Sequence, residues 1–174
     1  RVLLTGLACG AAGFVVYGSL VPLDFRARDL ESALQAFAHT PYLDLGVASR
    51  ADWVANILLY IPLAFLLTGA AAQARSRVDR IVGTLATIAF CIALAFAVEF
   101  AQLFFPPRTV SQNDLIAETI GTVLGVALWL ALGPRILGLT GHIRIGGPRA
   151  TLAALTLYVA AYLAFSLFPY DFLI

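Results

Sequence analysis

Apolar residues run along this chain in blocks, not in the periodic stripes of a soluble domain. A bilayer core takes roughly 20 consecutive apolar residues in helical form. Five segments meet that requirement, at about 2–20, 54–72, 81–105, 115–133 and 151–168. A different pattern occupies 29–38, DLESALQAFA. Asp29 stands where an N-cap belongs, and Leu30, Ala33, Leu34 and Phe37 share one helical face, so a short amphipathic helix is predicted there. Such a helix suits the outer membrane interface or the top of the bundle. Pro22 ends the first segment and Pro106-Pro107 the third, because proline cannot continue a helical ladder. Pro62 falls inside the second segment and predicts a kink that deprives the Leu58 carbonyl of its donor. The third segment, about 38 Å long at helical rise, must tilt or protrude. The expected fold is all-α: a polytopic bundle of five transmembrane helices plus a short extracytoplasmic interfacial helix, making one domain over residues 1–174.

Composition agrees. Hydrophobic residues make up 61% of the 174 and charged residues 12%, and the mean hydropathy is +0.91. That leaves too little polar surface for a soluble domain of this length. The net charge of +1 says nothing about nucleic acid, but no basic patch interleaved with aromatics occurs, so the features expected of a nucleic-acid binder are absent. Cys9 and Cys91 both fall inside predicted spans and read as small apolar packers. The chain has no methionine and begins with Arg1, so it is expected to be an excerpt of a longer protein.

All eleven positive residues are arginine, and their distribution sets the expected orientation. The link between the second and third spans carries Arg75, Arg77 and Arg80; the link between the fourth and fifth carries Arg135, Arg144 and Arg149. Short arginine-rich links stay in the cytoplasm. Of the ten acids only Asp79 lies in those links. The N-terminus is then cytoplasmic, and the loops 21–53 and 106–113 are extracytoplasmic.

On this topology the polar residues of the spans gather at the outer face. Asp52 and Asn56 are four apart, Glu99 and Gln102 three apart, and Asp114 and Glu118 four apart, so each pair shares one helix face. Arg108 and Ser111 lie in the intervening loop, with Ser111 placed to cap the fourth span. Lipid-facing carboxyl groups are costly, so the pairs are expected to face one another, with Arg108 bridging to Glu99 or Asp114. Gly121 and Gly125 have the spacing that admits close helix approach. The carboxylates outnumber nearby cations, which suggests a cationic ligand or a divalent ion among Asp52, Glu99, Asp114 and Glu118; the alternative is that the cluster only joins helices. A repeat links the two outward helix exits: Ser19-Leu-Val-Pro22-Leu-Asp24-Phe25 matches Ser166-Leu-Phe-Pro169-Tyr-Asp171-Phe172 at five of seven positions. It is either a recurring exit device or a sign that Asp24 and Asp171 lie near one polar site. His39 and His142 read as surface residues. No nucleophile elbow, metalloprotease or phosphate-loop motif occurs, and no cofactor is expected.

Taken in order, these motifs resemble the VanZ-like family of bacterial membrane proteins. The resemblance rests on the Ser19–Phe25 exit, on Asp52-Trp-Val-Ala-Asn56 with the Pro62 run, on Glu99-Phe-Ala-Gln102, and on Arg108-Thr-Val-Ser111-Gln-Asn-Asp114 followed by Gly121-Thr-Val-Leu-Gly125. It extends over residues 17–133. One departure is Glu118, where the family usually carries Asn. The resemblance implies a multi-pass protein of the bacterial plasma membrane, and the family's namesake is associated with resistance to the glycopeptide antibiotic teicoplanin. Three functions stand open. The first is a binder of a cell-wall lipid intermediate or lipoglycopeptide, anchored by Glu99, Arg108 and Asp114. The second is an intramembrane enzyme acting on a lipid-linked substrate through the carboxylates. The third is a membrane scaffold.

Overall fold

The computed structural model describes residues 2–43, 47–106 and 108–145, and residues 147–159 except 149, 153 and 157. Five helices follow in order: α1 Val2–Leu20, α2 Leu30–Ala38, α3 Val47–Ala71, α4 Arg77–Gln102 and α5 Gln112–Ile145. There is no strand among the described residues. Four stretches are long and apolar enough to cross a membrane: Val2–Leu20, Asp52–Ala71, Arg77–Gln102 and Gln112–Gly138. The fifth predicted span, 151–168, lies largely outside the described residues, as does the second copy of the exit motif.

The helix ends show where apolarity and helicity part company. Apolarity places the start of the third span at 81, yet α4 begins at Arg77 because Ser76 accepts the Asp79 N–H at 2.9 Å as its N-cap. Apolarity ends the fourth span at 133, yet α5 passes through Pro134 to Ile145. Helix α3 starts seven residues before the predicted span, so Asp52 and Asn56 stand on a helix already begun. It also continues through Pro62 to Ala71.

The chain forms two compact units, Arg1–Ala127 and Leu128–Ile174. In the first, α1 packs on α3 and α4, and α3 on α4. Its core is small: Val15, Tyr60, Leu63, Ala64, Cys91, Ala95 and Val126. Large apolar side chains such as Phe14, Ile81, Leu85, Phe96 and Val123 face outward, as expected where lipid is the solvent of the outer surface. Helices α3 and α5 meet at the predicted glycines. A β-carbon on Gly121 would collide with the Ile57 carbonyl oxygen and one on Gly125 with that of Ile61. In the second unit Trp129 is buried, and its ring lies where a β-carbon on Gly133 would sit.

Aromatic rings fix the loop after α1 and the helix after it. Leu23 takes a left-handed backbone (φ 67°), and the Arg26 N–H donates to the Phe104 carbonyl at 2.8 Å. Phe25 stacks on Phe104 at 6.2 Å and meets Phe105 edge-on at 5.7 Å. Phe37 of α2 meets Phe96 and Phe100 of α4 edge-on. Each such pair contributes about 0.5–1.5 kcal/mol beyond the area it buries. Of the predicted face of α2, Ala33 is buried and Phe37 packs on α4, while Leu30 and Leu34 are exposed. Asp29 caps α2 by accepting the Ser32 N–H at 3.0 Å. That bond holds its carboxyl below the usual carboxylate range.

Candidate functional site at one end of the bundle

The ends of α1 and α4 and the beginnings of α3 and α5 come together. The Gln102 amide donates to the Ser19 carbonyl at 3.2 Å, joining α4 to α1. The Asn56 amide donates to Asp114 Oδ1 at 2.8 Å, joining α3 to α5. Ser111 caps α5: its Oγ accepts the Asp114 N–H at 3.3 Å and donates to Asp114 Oδ2 at 2.6 Å. Both oxygens of Asp114 are therefore occupied. Its carboxylate lies in the first turn of α5, where the helix dipole favours negative charge.

Below this layer lie Glu99 and Glu118, each 1% exposed. Both carboxyl oxygens of Glu99, one of Glu118 and the Tyr60 hydroxyl are buried without a hydrogen-bond partner. A buried polar group left unsatisfied costs about 1–3 kcal/mol. The bundle holds several such groups at one place.

Three sequence expectations are revised by the geometry. Arg108 forms no ion pair with Glu99 or Asp114; among the described residues the ion pair present is Arg26–Asp24, 3.2 Å apart and exposed on both sides. Asp52 is exposed. No three His, Cys, Asp or Glu side chains among the described residues are grouped to hold a metal ion, so Asp52, Glu99, Asp114 and Glu118 do not assemble into a ligand set. Cys9 and Cys91 are free thiols, Cys91 buried in the core. The exposed His39 ends α2, its ring nitrogen Nδ1 2.8 Å from the Gln35 carbonyl.

Arg108 lines a groove of about 520 Å³ instead. The groove is bounded by the loop after α1 (Arg26, Ala27, Arg28), by the end of α2 and the residues after it (Ala36, Thr40, Pro41), and by the end of α4 and its loop (Gln102, Leu103, Pro106, Arg108, Val110). Arg26 and Arg28 were legible only as loop charges. Their signal was two arginines placed between a helix exit and an amphipathic helix.

Asn113 is a further residue that the sequence pattern does not single out. Its side chain accepts the Leu43 N–H at 2.8 Å and donates to the Leu43 carbonyl at 3.0 Å, while Gln112 donates to the Thr40 carbonyl at 2.8 Å. Together they clamp the segment after α2 onto the start of α5 and thereby set one wall of the groove. Asn113→Ala should lower stability by about 1–3 kcal/mol, since both Leu43 backbone groups lose their partner. Thermal unfolding in mild detergent measures this, and an unchanged midpoint would mean that the clamp carries no stability.

No curated protein and no solved structure matches the chain. The VanZ/LLP1 family model matches residues 8–133. That stretch holds most of α1, all of α2 to α4, the greater part of α5 and every site residue above. It covers more than half of the sequence: this chain belongs to the VanZ/LLP1 family.

Proposed function

We propose that this protein is a multi-pass component of the bacterial plasma membrane that binds an amphiphilic envelope compound, a cell-wall lipid intermediate or a lipoglycopeptide, at its extracytoplasmic end. Through that binding it contributes to tolerance of teicoplanin-type antibiotics. The observation that carries the reading is the groove beside the buried carboxyl layer, polar in its arginines and apolar in Ala27, Ala36, Leu103, Pro106 and Val110. A site that takes both the head and the stem of an amphiphile needs both kinds of wall. The orientation follows from Arg75, Arg77 and Arg80, which lie at the opposite end of α4 from Gln102 and hold that end in the cytoplasm. On this orientation α2 lies at the outer interface, with the exposed Leu30 and Leu34 turned to lipid.

Lipid mass spectrometry on protein purified in mild detergent tests the reading. An envelope lipid should be enriched roughly tenfold or more over its share of the host membrane, a surplus of about 1.4 kcal/mol in binding preference. A lipid profile identical to the bulk membrane would overturn the reading.

A second reading is supported by the buried carboxyl groups of Glu99 and Glu118 beside Tyr60: an intramembrane enzyme using one of them as general acid or base. Turnover of a lipid-linked substrate, abolished by Glu99→Gln, separates it from the first.

A further inference from the structure

The groove lining contains three arginines and no carboxylate. Arg26 has Asp24 as a partner, through a contact exposed on both sides. Such a surface pair is worth about 0–1 kcal/mol and exchanges readily for a better anion. Arg28 and Arg108 have no ion pair among the described residues. Arg28 and Arg108 thus line one cavity without an ion pair of their own, Arg108 within electrostatic reach of Glu99 and Asp114. They are brought there by unrelated pieces of chain: the loop after α1, pinned by the bond from Arg26 N–H to the Phe104 carbonyl at 2.8 Å, and the loop after α4, where the Arg108 N–H donates to the Phe105 carbonyl at 2.8 Å. Like charges gathered by fixed backbone on two loops favour an anion placed between them.

The geometry points to a phosphate group as the ligand of Arg26, Arg28 and Arg108, carried on an amphiphile whose apolar stem leaves along Ala36, Leu103 and Val110. This rests on the binding reading above and moves the headgroup anchor from the carboxyl layer to the arginines. A phosphate monoester carries about −1.5 to −2 charge near neutral pH, which suits a lining that holds three arginines and no carboxylate. Its terminal oxygens accept guanidinium forks from several directions at once, whereas a carboxylate is saturated by one or two. The cavity, at about 520 Å³, exceeds a lone phosphate and leaves room for a diphosphate or the first part of the attached chain. Two sources share this chemistry, a lipid phosphate and free inorganic phosphate.

The test uses the full chain in detergent with three probes: farnesyl phosphate, farnesol and inorganic phosphate. Farnesyl phosphate should bind, and Arg28→Gln with Arg108→Gln should weaken it on the order of 100-fold, two charge-assisted contacts being lost. Arg75→Gln alone removes a positive charge at the other end of the bundle, leaves Arg77 and Arg80 to set the orientation, and should leave binding within about twofold, far below the tenfold that 1.4 kcal/mol represents. Inorganic phosphate should compete only weakly; equal affinity would assign the groove to the free anion and overturn the amphiphile. Farnesol bound as tightly as its phosphate, or indifference to the arginine variants, would overturn the phosphate site. An envelope lipid that still co-purifies with the double variant would sink this inference while leaving the binding reading intact. No enrichment of any amphiphile by the unaltered protein would sink both.

Discussion

Replacing Gly125 with leucine should cost the bundle at least about 3 kcal/mol of stability, and replacing it with alanine about 1–3 kcal/mol. The β-carbon alone would collide with the Ile61 carbonyl oxygen and lie 2.8 Å from the Ala64 β-carbon and 3.0 Å from the Phe65 nitrogen. Two of those three atoms are backbone of α3 and cannot rotate aside, so α3 and α5 must separate. Overpacking of a close-packed contact already costs about 1–3 kcal/mol, and a leucine carries three more carbons into the same seam. Separation would also stretch the 2.8 Å bond between Asn56 and Asp114, which joins the same two helices. Gly10 on α1 provides the contrast, because a β-carbon there meets nothing within 4 Å. Gly10→Ala should be neutral or stabilising by a few tenths of a kcal/mol, the sign that helix propensity gives. Unfolding in mild detergent compares the three variants. Equal midpoints for Gly125→Leu and Gly10→Ala would mean that the α3–α5 seam is not close-packed.

That seam was legible in the sequence because two glycines four apart in an apolar helix leave a groove whatever the neighbour. The limits of α1 were legible for a similar reason, since the apolar run and Pro22 agree. The starts of α3 and α4 were not. Their first two turns carry Asp52, Arg77 and Arg80, which apolarity reads as loop, while helicity there is set by local backbone bonding and, at α4, by the Ser76 cap. The convergence of Asn56, Gln102 and Asp114 at one end followed from topology and the cost of polar groups facing lipid. Their pairings did not, because which side chain meets which depends on ångström-scale offsets between helices. Gln102 meets a backbone carbonyl of α1, and Arg108 faces a groove. Asn113 was invisible because its partner is the backbone of Leu43, seventy residues away. Arg26 and Arg28 acquired meaning only when the Phe25, Phe104 and Phe105 rings fixed their loop against the end of α4.

Glu99→Met should stabilise the fold and impair the function at once. Glu99 is 1% exposed and both its carboxyl oxygens lack a partner. Replacing a buried, unsatisfied polar group by an apolar one of similar shape recovers its desolvation cost, about 1–3 kcal/mol. Methionine is suited to the test because it is unbranched, comparable in length and able to adapt to an irregular space. Val98 and Ala95 nearby on α4 are buried, so an apolar side chain enters an environment already built for it. Glu118→Met should act in the same direction but less, since only one of its two oxygens is both fully buried and without a partner. If the carboxyl layer only joined helices, both changes would destabilise, and lipid enrichment would fall merely in proportion to protein lost. A site held at the expense of stability behaves otherwise: the unfolding midpoint rises while enrichment of the envelope lipid per folded molecule drops. A lowered midpoint for Glu99→Met would show that the carboxyl group is satisfied in the membrane and would return Glu99 to a structural role. A raised midpoint with lipid enrichment unchanged would separate Glu99 from the ligand, leaving Arg26, Arg28 and Arg108 to carry the binding alone.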